Sequence, residues 1–226
     1  MPDVSANRLS YLLSRLYSTK LGIEGLDLDS EDLRNCHNMR GPPCRGFMSS
    51  FEIPENSSKD YKNTRPFQDL LEVLKELNDI VFGWLSFAHP DIMAQVKEDN
   101  KKYHGCHPPY TTSDNCIFPR MVISWQLANE GHKDPNDNGL SVVVWVVDIN
   151  NIDSLACTDW RFVFQNLSTG SDHMRRDTTS IPLFHGIVII YDGNKIRRAT
   201  TIPLDKSVHR FGLLHGSATL PAMCSC

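Results

Sequence analysis

No stretch of this sequence of 226 residues approaches the roughly 18 consecutive apolar residues of a membrane span, so no transmembrane helix is expected. The opening Met1-Pro-Asp-Val-Ser-Ala-Asn7 has neither an apolar core nor a basic cluster. A secretory signal is therefore not expected, and the chain reads as intracellular, cytoplasmic or nuclear. Cysteine supplies no framework either. The seven, at 36, 44, 106, 116, 157, 224 and 226, are odd in number and scattered, and in a reducing compartment they read as free thiols or metal ligands. Cys36, His37 and Cys44, and His104, Cys106, His107 and Cys116, lack the close Cys pairing of structural zinc sites and read as loop residues. Asn56-Ser57-Ser58 and Asn166-Leu167-Ser168 fit the glycosylation sequon and, without a signal, read as chance matches. A net charge of -4 and a pI near 6.1 exclude a global attraction to nucleic acid or anionic membrane. Lys101-Lys102, Arg175-Arg176 and Arg197-Arg198 read as solvated faces. There is no internal repeat and no low-complexity segment.

What is present is ordinary globular material: 40% hydrophobic and 22% charged residues. The length suits one unit over 1–226, with 1–116 mainly helical and 117–216 rich in strands. Leu9, Leu12, Leu13 and Leu16 recur at helical spacing after Ser5, an N-cap candidate, predicting a helix over 6–19. Residues 22–65 read as mostly loop, with a strand near 47–53. Pro66 opens a second helix with the stripe Leu70, Leu71, Leu74, Leu77 and Val81. A third runs from Pro90 to about Tyr103. Strands are then expected at 121–127, 141–149, 160–165, 187–191, 195–202 and 210–214. The β-branched run at 141–149 suits a strand buried on both faces. Asp192-Gly193-Asn194 reads as a tight turn closing a hairpin between the strands on either side of it. The expected fold class is α+β: a double-stranded β-helix, or jelly roll, buttressed by N-terminal helices.

His132-Lys133-Asp134, between the first two of those strands, is the chemically suggestive triplet. An imidazole and a carboxylate two residues apart can hold one iron and leave positions open, two thirds of a 2-His-1-carboxylate site. Alone the triplet means little. Chance predicts about 0.7 of them in a chain with nine histidines, and a second, His89-Pro90-Asp91, reads as a helix start.

The surrounding order carries more. A strand Met121–Leu127, then His132-Lys-Asp134, then Gly139-Leu-Ser-Val-Val-Val resembles the 2-oxoglutarate- and Fe(II)-dependent oxygenases of the AlkB-, prolyl-hydroxylase- and TET/J-binding-protein-like branch. Pro182–Gly193, Arg198-Ala-Thr-Thr-Ile-Pro203 and Arg210-Phe-Gly-Leu-Leu214 are similar to its later strands. The resemblance covers about 119–215 and implies the jelly roll, Fe(II), 2-oxoglutarate as cosubstrate, and hydroxylation of a C–H bond. It implies His132 and Asp134 as metal ligands and Arg210 as the group holding the far carboxylate of the cosubstrate, since a guanidinium pairs bidentately with a carboxylate. Thr200, Asn138 and Tyr191 are pocket-lining candidates. The substrate, a methylated nucleobase or a protein side chain, would be chosen by the N-terminal half and the loop 166–181. Nucleic acid enters as a partner by this analogy alone.

One departure stands out. Arg198 lies where the distal metal histidine belongs, and a guanidinium has no lone pair to offer. Three explanations stay open: His185 is the third ligand, iron is held by His132 and Asp134 with a water, or the fold persists without iron chemistry. On the last, the chain is a catalytically silent module that binds a ligand or partner.

Overall fold

The structure, a computed structural model, describes residues 1–19, 44–52, 65–101, 108, 110–112, 114–118, 120–134, 139–148, 160–165, 178–201 and 208–216. Three helices, α1 (Asp3–Thr19), α2 (Arg65–Ala88) and α3 (Pro90–Asn100), precede or interleave with β1 (Cys44–Glu52) and the strand-rich remainder. That remainder holds β2 (Arg120–His132), β3 (Leu140–Val147), β4 (Arg161–Gln165), β5 (Thr178–Pro182), β6 (Ile187–Asp192), β7 (Arg197–Thr200) and β8 (Arg210–Gly216). The predicted strands at 121–127, 141–149, 160–165 and 210–214 are all found, as is the one near 47–53. β5 has no counterpart in the sequence reading. α1 begins before Ser5, with the Pro2 carbonyl accepting the Ala6 N–H at 3.0 Å. No described helix is long and apolar enough to cross a membrane.

The strands form one antiparallel, curled sheet in the order β5-β4-β7-β2-β8-β3-β6, with β1 beside β2. β2 is long because it serves two sets of neighbours. Arg120 to Trp125 pair with β8, and Asn129 to His132 pair with β7. Between them Gln126 takes φ 48, a left-handed backbone that is uncommon outside glycine. Its Nε2 donates to the Val208 carbonyl at 2.9 Å, which ties the bend down. The bend and the register slip between Asn129 and His132 turn the end of β2 across to the β7 side.

Alternation along β3 and β8 divides the apolar residues between two cores. Val142, Val144, Val146, Phe211 and Leu213 face the helices, packing with Leu9, Leu12, Leu13, Leu74, Leu77 and Val81. Each leucine taken fully from water there contributes about 2 kcal/mol. Val143 and Trp145 face the other way, into a core with Leu127, Trp160, Phe162, Leu183, Ile189 and Tyr191. Burial on both faces explains why β3 reads as an unbroken apolar run. β8 passes close under one of these rings. A Cβ on Gly212 would lie 2.5 Å from Trp145 Cζ3 and 2.6 Å from Ser124 Oγ, so only glycine fits without displacement.

The expected hairpin between residues 187–191 and 195–202 is corrected. β6 pairs with β3, and β7 pairs with β2 and β4, so the two strands are not hydrogen-bonded to each other. The intervening turn is wider than a two-residue hairpin turn. Asp192 O accepts the Ile196 N–H at 3.0 Å, and Asp192 Oδ1 accepts the Lys195 N–H at 3.1 Å. It carries the chain from one end of the sheet order toward the other, and it sits against the end of β2.

Candidate metal centre

His132 is the last residue of β2, and Asp134 follows two residues on. The His132 Nδ1–H donates to the Glu130 carbonyl at 2.8 Å, which leaves the Nε2 lone pair facing outward from that bond, 3.7 Å from Asp134 Oδ1. Burial pushes the imidazole pKa below its ordinary value, and the positive Arg198 and Arg197 push the same way, against the Glu130 bond and Asp134. The ring is therefore held neutral near pH 7. Asp134 is fastened from its backbone, whose N–H donates to the Gly193 carbonyl at 3.0 Å. Sequence proximity, the end of β2 and the β6–β7 turn thus place two donor groups together.

Arg198 closes the site from β7. It is the direct cross-strand partner of His132, so both side chains leave the sheet on the same face. The Arg198 side chain is buried. Its Nη2 bonds Asp134 Oδ2, and its Nη1 donates to the Gly193 carbonyl at 3.2 Å. The guanidinium carbon lies 4.7 Å from the Tyr191 ring centroid, within cation–π range.

His185 is not brought to this place. On the β3–β6 ladder Leu140 pairs with Asp192 while Trp145 pairs with Ile187. His185 lies beyond Ile187, and five steps of strand alone put about 17 Å between the two ends. One metal ion cannot span that gap. The His185 Nδ1 instead accepts the Val147 N–H at 3.2 Å, and burial lowers the pKa of the ring. The expectation of His185 as a third ligand is corrected. It rested on β6 and β7 pairing as a hairpin, and they do not pair.

Arg210 opens β8 and is fully buried on the face away from the helices. Its Nη1 donates to Val208 O at 2.9 Å, and its guanidinium carbon is 5.9 Å from the Trp160 ring centroid. Trp160 is itself held by a 3.1 Å bond from Nε1 to Leu127 O and meets Trp145 edge-on at 4.7 Å. The Val208 carbonyl and the Trp160 ring are thus among the neighbours of Arg210, and its Nε and Nη2 are buried without a hydrogen bond among the described residues. Thr200 is buried, its N–H bonded to Asn129 Oδ1 at 2.7 Å. Asn138, Cys36, His37, His104, Cys106 and His107 lie outside the described residues. Of the loop 166–181, residues 178–181 belong to β5 and the rest is likewise outside.

No known protein family and no curated protein matches the sequence. Among solved structures, NgTET1 in complex with 5mC DNA aligns with 96% of this chain and 69% of its own, at TM-score 0.54 and 13% identity. The chain shares the fold of NgTET1. A prolyl hydroxylase from Trichoplax adhaerens, in complex with a hypoxia-inducible-factor peptide fragment, aligns over 96% of this chain and 79% of its own (TM-score 0.47, 9% identity). A Pseudomonas putida prolyl-4-hydroxylase aligns over 98% and 89% (TM-score 0.45, 7% identity). At 13% identity the likeness to NgTET1 concerns the backbone path, and the chemistry has to be judged on the side chains.

The side chains here do not fit iron. Two of three donors are in place, and the third direction is filled by a permanent cation bonded to the carboxylate that iron would need. Among the described residues no cluster of three or more His, Cys, Asp or Glu is arranged to hold a metal ion. Two partners of Arg198 escaped the sequence reading: the Tyr191 ring, set down there only as a pocket-lining candidate, and the Gly193 carbonyl. Nothing in the sequence pointed to them, because both depend on the register that sets Arg198 opposite His132.

Proposed function

We propose that this chain is an oxygenase-fold protein that works by binding rather than by oxidation, a silent module for a ligand or partner. The observation that carries this reading is the Arg198–Asp134 ion pair at the register position opposite His132. A guanidinium cannot ligate, and with Arg198 buried and Asp134 partly open, breaking this pair costs about 1–3 kcal/mol.

A second reading has its own observations. An Fe(II)- and 2-oxoglutarate-dependent dioxygenase, hydroxylating a C–H bond of a methylated nucleobase or a protein side chain, is favoured by the His132 tautomer and the burial of Arg210 at the start of β8. An anaerobic titration with Fe(II) and 2-oxoglutarate separates the two. The silent reading expects no visible charge-transfer band from a folded sample. A band that disappears in His132→Ala overturns it in favour of the enzyme.

A further inference from the structure

We propose that His185 is an acid-released latch for α1. As a neutral ring it holds the end of β3 with the helix docked on it, and protonation of Nδ1 frees the helix while the sheet stays paired. The latch lies at the end of β6 away from Asp192 and the turn that meets Arg198, so it stands or falls apart from the silent reading.

β3 outruns its neighbour. Its last pair with β6 is Trp145 with Ile187, yet the strand continues to Val147. Asp148 donates its N–H to the His209 carbonyl on the β8 side at 2.8 Å, so Val147 before it turns both backbone groups the other way, past the end of β6. Left unpaired there, those groups would be costly. Two side chains stand in for the missing strand. The Val147 N–H donates to His185 Nδ1 at 3.2 Å, and the Val147 carbonyl accepts the Ser10 hydroxyl at 2.7 Å. One residue of β3 thus joins the β5–β6 turn to the middle of α1. The contact is also close in space. Gly186 takes φ 79, and a Cβ on it would lie 3.0 Å from the Ala6 Cβ. α1 therefore rests directly on the residue after the histidine.

The docked ring has no place for a second proton. Accepting from Val147 requires a bare Nδ1, which puts the proton of the neutral ring on Nε2. That nitrogen is buried and has no partner among the described residues. An imidazolium would set its Nδ1–H against the Val147 N–H and leave both without an acceptor. Burial is the largest influence on the ring and lowers its pKa, while Asp3 on α1 pulls the other way. The other charges packed round it are the Met1 amino group, bonded to the Gly186 carbonyl at 3.1 Å, and Asp148, which faces His209 at 3.5 Å. A released ring returns toward the ordinary value near 6.5, so docking is fully held above that pH and is lost progressively below it.

Hydrogen exchange of the full chain at pH 7 and pH 5, read by mass spectrometry and corrected for intrinsic rates, tests the latch. The opening constant of α1 relative to that of β3 should rise on acidification by about threefold or more, with a ceiling of about 25-fold set by an ordinary histidine. His215 pairs with β3, so its protonation loosens β3 as well and does not imitate this change. His185→Gln keeps an acceptor for the Val147 N–H and does not titrate, and it should hold the ratio constant within about twofold. A ratio that stays flat in the unmodified chain, or rises equally in His185→Gln, overturns the latch. Should His185→Gln fail to fold, an NMR titration of the unmodified chain decides. The Val147 amide and the resonances of Ser10 should move with the His185 ring, and a Val147 amide indifferent to that titration overturns the proposal.

Discussion

Lowering the pH should loosen this protein in part through His215. The residue sits on β8 with Met121 and Val142 as its cross-strand partners. It is wholly buried, and neither ring nitrogen has a hydrogen-bond partner among the described residues. Burial alone pushes its pKa from 6.5 down to about 3. A proton is therefore taken up by the unfolded chain far more readily than by the folded one. The stability of the neutral ring is fully present above pH 6.5, falls as the pH drops, and is exhausted near pH 3. At about pH 5 the unfolded histidine is almost fully protonated and the folded one is not, a penalty of about 2 kcal/mol. At about pH 4 it grows to about 3 kcal/mol. His132 and His185 shift in the same direction, so the total pH dependence is not diagnostic. The diagnostic quantity is the difference between the unmodified chain and His215→Met, a swap of similar volume. Urea denaturation at pH 7, 6 and 5 should show that difference changing by about 2 kcal/mol in favour of the variant. A difference that stays flat within about 0.5 kcal/mol would refute the claim that this imidazole is buried and unbonded.

Three further substitutions test separate parts of the argument. Asp134→Asn should cost about 1–3 kcal/mol, because it removes the carboxylate paired with the buried Arg198 charge while the half-open carboxylate side limits the loss; chemical denaturation near neutral pH reads it, and a change below about 0.5 kcal/mol would count against this ion pair. Gly212→Ala should cost about 1–3 kcal/mol by driving a methyl into the Trp145 ring, and near-UV circular dichroism should report the displaced indole. Arg8→Ala should cost under about 1 kcal/mol, since its pair with Glu76 is close at 2.5 Å but exposed on both sides; a larger loss in a melting curve would mean that this pair does more than link α1 to α2.

Much of the scaffold could be read before any coordinates. Leucines at helical spacing mark α1 and α2 because one stripe of each must leave water. The valine run at 142–147 marks a strand covered on both faces. The triplet at 132–134 was legible as lying between two strands; that Arg198 on β7 faces His132 is a finding of the structure. Less of the site was legible. His185 was one of three open explanations, favoured if Asp-Gly closes a tight hairpin, and the wider turn from Asp192 to Ile196 sends β6 and β7 to different partners. The bend at Gln126 left no mark either, since glutamine has no preference for a left-handed backbone, and only the switch from β8 to β7 demands it.

The sequence by itself determined where the helices and every described strand but β5 form, and that residue 198 cannot be a ligand. The first follows from local periodicity, and the second from the chemistry of a guanidinium without a lone pair. The tertiary structure alone decided which strands pair, that His185 stands at the far end of β6, and that the Arg198 charge rests on Asp134. Pairing depends on which distant faces are buried together, and an ion pair depends on two side chains meeting across strands 64 residues apart in the chain. No local pattern encodes either.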